Sequence, residues 1–134
     1  GLNAMSSQYQ TSSDDGQTTI GLSESAHEKL KELQDEGVFA RLMDGYRFCM
    51  AFAIAQGQKK EVVKRNTIFN VGTFDPKQEI RNVVEVVTGE SPDEVYRSVE
   101  KYAEWGVGEI YRLHESGSLD FAVLMEAPTG DNTE

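Results

Sequence analysis

The chain has 134 residues, the size of one domain, and its hydrophobic fraction of 38% is diluted by polar stretches at both ends. A net charge of −10 at neutral pH runs against a nonspecific nucleic-acid binder, and the longest apolar run, residues 48–55, falls far short of the ~20 residues that span a bilayer. Cys49 is the single cysteine, which excludes an internal disulfide and a cysteine-based metal site; with no basic-then-apolar leader, the expected setting is the reducing cytoplasm, away from membranes.

Residues 1–4, GLNA, precede Met5 and read as a cloning remnant. Residues 5–16 are rich in Ser, Gln and Asp and hold too little apolar surface to offset the entropy of ordering, so residues 1–16 are expected to form a disordered tail. In residues 17–23, Thr18, Ile20 and Leu22 share one face while Gln17, Thr19 and Gly21 share the other, the two-residue period of a strand. A strand this short needs a partner. Ser23 or Ser25 is placed to cap the following helix, in which Ala26, Leu30 and Leu33 recur at i, i+4 and i+7 against an acidic opposite face. Gly37 suits a left-handed helix terminus. A second helix is expected from about Phe39 to Gln56. Its apolar residues surround nearly the whole cylinder, which predicts burial on most sides and, in so small a chain, shelter from a second subunit.

Beyond Gly57, the residues Val62, Val63, Ile68, Phe69, Val71 and Phe74 predict an extended segment or hairpin broken at Gly72. Asp75 and Pro76 predict the cap and first turn of a helix with Ile80, Val83, Val84 and Val87 on its apolar face, ending at Gly89. Ser91, Pro92 and Glu94 repeat the device for a helix carrying Val95, Tyr96, Val99, Tyr102 and Ala103, which Gly106 and Gly108 are expected to bend or interrupt. Residues 119–125 make an apolar closing element, and residues 127–134 read as a second disordered tail.

Strand, helix, turn and helix over residues 17–57 resemble the ribbon-helix-helix proteins. The acid-rich first helix, with YRFCMAFAIA at residues 46–55 of the second, is also similar to small DndE-type proteins of DNA phosphorothioation systems. The resemblance implies a mainly α fold: a ribbon-helix-helix-like dimer core, its strands paired between two copies, then a short extended segment and a helical C-terminal extension (residues 58–126) packed on it. It further implies a DNA-associated regulator or accessory factor acting as a homo-oligomer. Gln17 and Thr19 would then face the groove, where Gln pairs with adenine and Thr contacts a thymine methyl; Gly21 departs from the pattern by offering no side chain. Lys59, Lys60, Lys64 and Arg65 would add phosphate contacts, because residues 59–65 carry four bases against one acid while residues 66–134 carry five against fourteen.

An ordinary solvated strand edge and loop are the competing readings of the same residues. The net charge favours a different function, an acidic protein–protein interaction module of a bacterial defence or regulatory assembly that meets its partner through the acidic C-terminal helices. Glu85, Glu90, Asp93, Glu94, Glu100 and Glu104 read as a solvated helical face, and Arg47 as a partner of Asp44. Tyr96, Tyr102, Trp105 and Tyr111 read as core packing rather than a platform for bases. His27 and His114 lack ligand spacing, and no nucleophile signature or cofactor motif is present, so neither a metal, a cofactor nor an enzyme is expected.

Overall fold

The alternation in residues 17–23 becomes strand β1 (Thr19–Ser23), and the acidic–apolar repeat behind it becomes helix α1 (Glu24–Asp35). The computed structural model describes residues 17–124; the tails expected at 1–16 and 127–134 lie outside them. The elements that follow are α2 (Leu42–Gln56), β2 (Arg65–Asn70), the short α3 (Val71–Phe74), α4 (Glu79–Thr88), a 3-10 turn (Pro92–Glu94), α5 (Val95–Glu115) and the four-residue α6 (Phe121–Leu124). The chain is mainly helical, with one two-stranded antiparallel sheet.

Ser23 sets the boundary between β1 and α1. Its Oγ accepts the Ala26 N–H at 3.0 Å, which satisfies one of the free amides of the first turn, and Ala26, Leu30 and Leu33 then point into the core as their spacing requires. Each fully buried leucine contributes about 1.5–3 kcal/mol. Helix α2 begins at Leu42 rather than Phe39, because residues 38–41 turn instead: Val38 N–H bonds Leu33 O at 2.9 Å and Phe39 folds over Gly45, where a Cβ would stand 2.7 Å from the Phe39 ring.

Strand β1 pairs with β2 of the same chain, not with a second copy of itself. Within one chain, the strand expected to form a ribbon with its twin has this hairpin-like partner 41 residues further on, with α1 and α2 between them. Gly21 matters here for its missing side chain, since a Cβ would lie 2.1 Å from Asn66 O, at the point where the register shifts between Ile20 and Gly21.

The other edge of β1 is also occupied. The N–H groups of Gly21 and Ser23 point away from β2 and donate to the carboxylates of Glu100 (2.8 Å) and Glu104 (2.9 Å) on α5. Ser23 Oγ donates to Glu104 at 2.5 Å, and the Tyr46 hydroxyl donates to Gly21 O at 2.9 Å. Arg65 reaches Glu100 at 2.8 Å. Glu100 and Glu104, expected on a solvated face, are 4% and 7% exposed. Their four-residue spacing stacks them on one side of α5, as wide apart as alternate amides of a strand, and this is why both can serve β1.

Helix α5 is the central element, packed chiefly on α2 and also on α1, β1 and α4. The apolar α2, expected to shelter against a second subunit, packs on one side against α5 of its own chain, while Ala51 stays exposed. Gly106 does not interrupt α5, which runs unbroken from Val95 to Glu115. It is the crossing point, for a Cβ there would stand 2.1 Å from Cys49 O. The core cluster joins Ile20, Leu22, Leu30 and Leu33 to Tyr46, Cys49, Val99, Val107 and Ile110, and so crosses Gly57 freely. Phe121 of α6 closes one side against Phe48, ring centroids 5.1 Å apart.

Gly106→Ala should lower stability by about 1–3 kcal/mol in urea unfolding, because the helices must separate to admit the methyl. Gly108→Ala, with open space at its Cβ, should raise it by roughly 0.5–1 kcal/mol, and equal effects at both positions would contradict the crossing. Burial, with Glu100 and Glu104 nearby, pushes the Tyr46 phenol well above its ordinary value of 10.0, and burial raises the Cys49 thiol from 9.0. Both groups keep their protons in the folded chain where the unfolded chain loses them, so their contribution is full below those ordinary values and is lost as pH rises beyond them. Tyr46→Phe should cost about 1 kcal/mol at pH 7 through the lost bond to Gly21 O and should flatten the alkaline fall in thermal midpoint.

Candidate functional site: an apolar groove between two helices

The residues expected to touch DNA are placed in three different situations. Gln17 donates to Thr19 O at 2.9 Å and Glu100 at 3.1 Å, and Thr19 Oγ1 accepts from Arg65 at 3.0 Å. Arg65 itself is held by Glu100. These three form one cluster whose polar groups face one another. Lys59 lies 3.6 Å from Glu90 and over the Tyr102 ring. Lys60 and Lys64 are exposed and join Lys29 around a shallow groove of about 280 Å³ beside the start of α1, which Glu24, Glu61 and Glu104 also line.

The valine-rich helix α4 is positioned by Asp75. Pro76 was expected to open this helix directly after its cap, but residues 76–78 form an intervening turn, with Gln78 in the left-handed region at φ 57. The buried Asp75 carboxylate still caps the helix from that distance, accepting the N–H of Ile80 at 3.0 Å and of Arg81 at 2.9 Å. The Tyr96 hydroxyl donates to the same carboxylate at 2.8 Å, tying α4 to α5. Arg47 does not pair with Asp44, which takes Arg41 instead at 3.1 Å. Its guanidinium donates to Phe74 O at 2.5 Å and covers the Phe74 ring, joining α2 to the start of α4.

Held this way, α4 buries only part of its apolar surface. Val84 is buried and Ile80 partly so, but Val83, Val86 and Val87 are 60%, 82% and 60% exposed. Val83 and Val87 were expected to face inward with Ile80 and Val84. Ile80, Val83, Val84 and Val87 do share one side of α4, as their i, i+3, i+4 and i+7 spacing requires, but that side opens on a groove instead of closing wholly on the core. Between α4 and α2 runs a groove of about 300 Å³ with almost wholly apolar walls, formed by Met50, Ala51 and Ile54 on one side and Ile80, Val83, Val84 and Val87 on the other. Glu79 stands at its rim.

Of the acidic residues expected on a partner surface of the C-terminal helices, Glu100 and Glu104 are buried on the inner side of α5. Tyr96 is buried and Tyr102, Trp105 and Tyr111 are half-buried, with Trp105 stacked on Phe52 at 5.8 Å. His114, isolated in the sequence, meets Glu36 of α1's terminus at 2.5 Å and lies near Glu115; these are the one group of metal-ligating side chains within reach of one another among the described residues. Long-range packing of α1 on α5 brought them together, which spacing along the chain could not reveal. Among the described residues no helix is long and apolar enough to cross a membrane.

Compared with protein families, curated proteins and solved structures, the chain matches none of them. The likeness to ribbon-helix-helix and DndE-type proteins therefore stands on sequence pattern alone.

Asp75→Ala should cost about 1–3 kcal/mol by removing the cap of α4 and the hydrogen bond from the Tyr96 hydroxyl. Hydrogen exchange should quicken selectively in α4; uniform quickening across the chain would mean that Asp75 does not act on this helix.

Proposed function

We propose that the protein is a non-enzymatic, acidic protein–protein interaction module that receives apolar side chains of a partner in the groove between α2 and α4. The observation that carries this reading is the exposure of Val83 and Val87 in one groove wall with Ala51 and Ile54. Apolar area left in water is a standing free-energy cost that association removes, so a contiguous patch marks a surface meant to be covered. The internal use of Gln17, Thr19 and Arg65 supports the same choice, since each would have to leave a present partner to read a base.

DNA association is the second reading, and it draws on Lys60 and Lys64, which lie with Lys29 at one groove in an otherwise acidic chain. The two readings predict different responses. Helical peptides selected from a random displayed library should bind the wild-type chain and lose binding to Val83→Asp, a change at an exposed position that should alter stability by no more than about 0.5 kcal/mol. Binders indifferent to Val83→Asp, or no binders, would remove the module reading. In an anisotropy titration, duplex DNA should bind negligibly even at low salt; tight binding that falls steeply with salt and is abolished by Lys60→Ala with Lys64→Ala would establish the DNA reading instead.

A further inference from the structure

We infer that the occupant of the α2–α4 groove is a short amphipathic helix whose polar face is basic, supplied by another protein. The inference rests on the module reading and adds the shape and charge of the partner.

Shape comes first. Met50, Ala51 and Ile54 of α2 face Ile80, Val83, Val84 and Val87 of α4 across the furrow. An apolar furrow walled by two helices offers the seat of a third helix, which presents anchors at i, i+3 or i+4 and i+7. Ala51 in the wall of the furrow is small enough to let a helix approach closely. The ten residues of α4 make a trough about 15 Å long, enough for roughly three turns of partner.

Charge selects among occupants of that shape. Glu79 stands at the groove and Glu85 on the same helix, within a chain of net charge −10. Several bases near the groove are already engaged, Arg47 on Phe74, Lys59 on Glu90 and Arg81 on Pro92 O; Lys77, before α4, is the exception. A second copy of this chain would bring another −10 and would set Glu79 near its own image across a two-fold contact. The chain's own ends have the wrong sign as well, since residues 1–16 hold two Asp and residues 125–134 hold two Glu and one Asp, with no Lys or Arg in either. A foreign helix with Lys or Arg flanking its apolar stripe meets both the furrow and the field around it.

The test uses three synthetic peptides of equal length with the same leucine stripe and polar faces of Lys, Gln or Glu, titrated by calorimetry against the full chain and against Val83→Asp with Val86→Asp. The lysine peptide should bind tightest to the wild-type chain, and the double variant should weaken it at least about tenfold. The variant also excludes simple charge attraction, because it makes the protein more acidic and would strengthen binding that did not use the groove. If the glutamine or glutamate peptide binds as well as the lysine peptide and all are lost in the variant, the charge assignment is overturned while the module reading survives. If no peptide loses affinity in the variant, both are overturned. Sedimentation of the free chain closes the remaining route: a dimer that the double variant converts to monomer would make a second copy the occupant and overturn the inference.

Discussion

Two carboxylates turned inward from one helix decide how this chain is organised. Strand β1 has amides on both edges, and an unpaired edge is an invitation to a second strand. β2 takes one edge, and Glu100 and Glu104 take the amides of Gly21 and Ser23 on the other. Removing two carboxylates from water costs several kcal/mol each, and the arrangement persists because each finds several donors. Glu100 receives Gln17, Gly21 and Arg65, while Glu104 receives both the amide and the hydroxyl of Ser23. The same hydroxyl caps α1, so strand edge, helix start and central helix are fixed by one connected set of hydrogen bonds.

That set also bears on function. β2 takes one edge of β1 and Glu100 and Glu104 take the Gly21 and Ser23 amides of the other, and the polar residues that would face a DNA groove, Gln17 and Thr19, are drawn into the same set. What the fold leaves unpartnered lies elsewhere. Helix α4 is held by Asp75 at its start and packs on α5, and the valines on its outer side have no cover among the described residues. An acidic chain with an uncovered apolar stripe is suited to meeting another protein.

Local pattern carried the sequence reading far, and long-range pairing limited it. The face of α1, the alternation in β1, the left-handed glycines after α1, α2 and α4, and the strand at Arg65–Asn70 follow from spacing and from residue chemistry that acts within a few positions, whereas Val71–Phe74, expected to stay extended with a break at Gly72, form the short helix α3. The partner of β1 did not follow from spacing either, because residues 24–64 separate the two strands and nothing in the five residues of β1 or the six of β2 names the other. Glu100 and Glu104 read as solvated because burial of a carboxylate depends on donors about 80 residues away. Gly106 read as a helix breaker for a related reason: a glycine that permits a helix crossing and one that ends a helix look alike until the crossing helix is known. The valines expected on one side of α4 do share that side, but spacing alone does not tell whether it closes on the core or opens on a groove.

The central claim is that β1 is completed within its own chain. Isotope-filtered NMR on a mixture of labelled and unlabelled protein tests it directly, together with exchange of the Gly21 and Ser23 amides over a range of concentrations. The account predicts contacts from Gly21 to Thr67 within one chain, slow exchange of both amides that does not change on dilution, and no contact between β1 and another copy. Contacts between β1 segments of two chains, or amide protection that disappears on dilution, would contradict it.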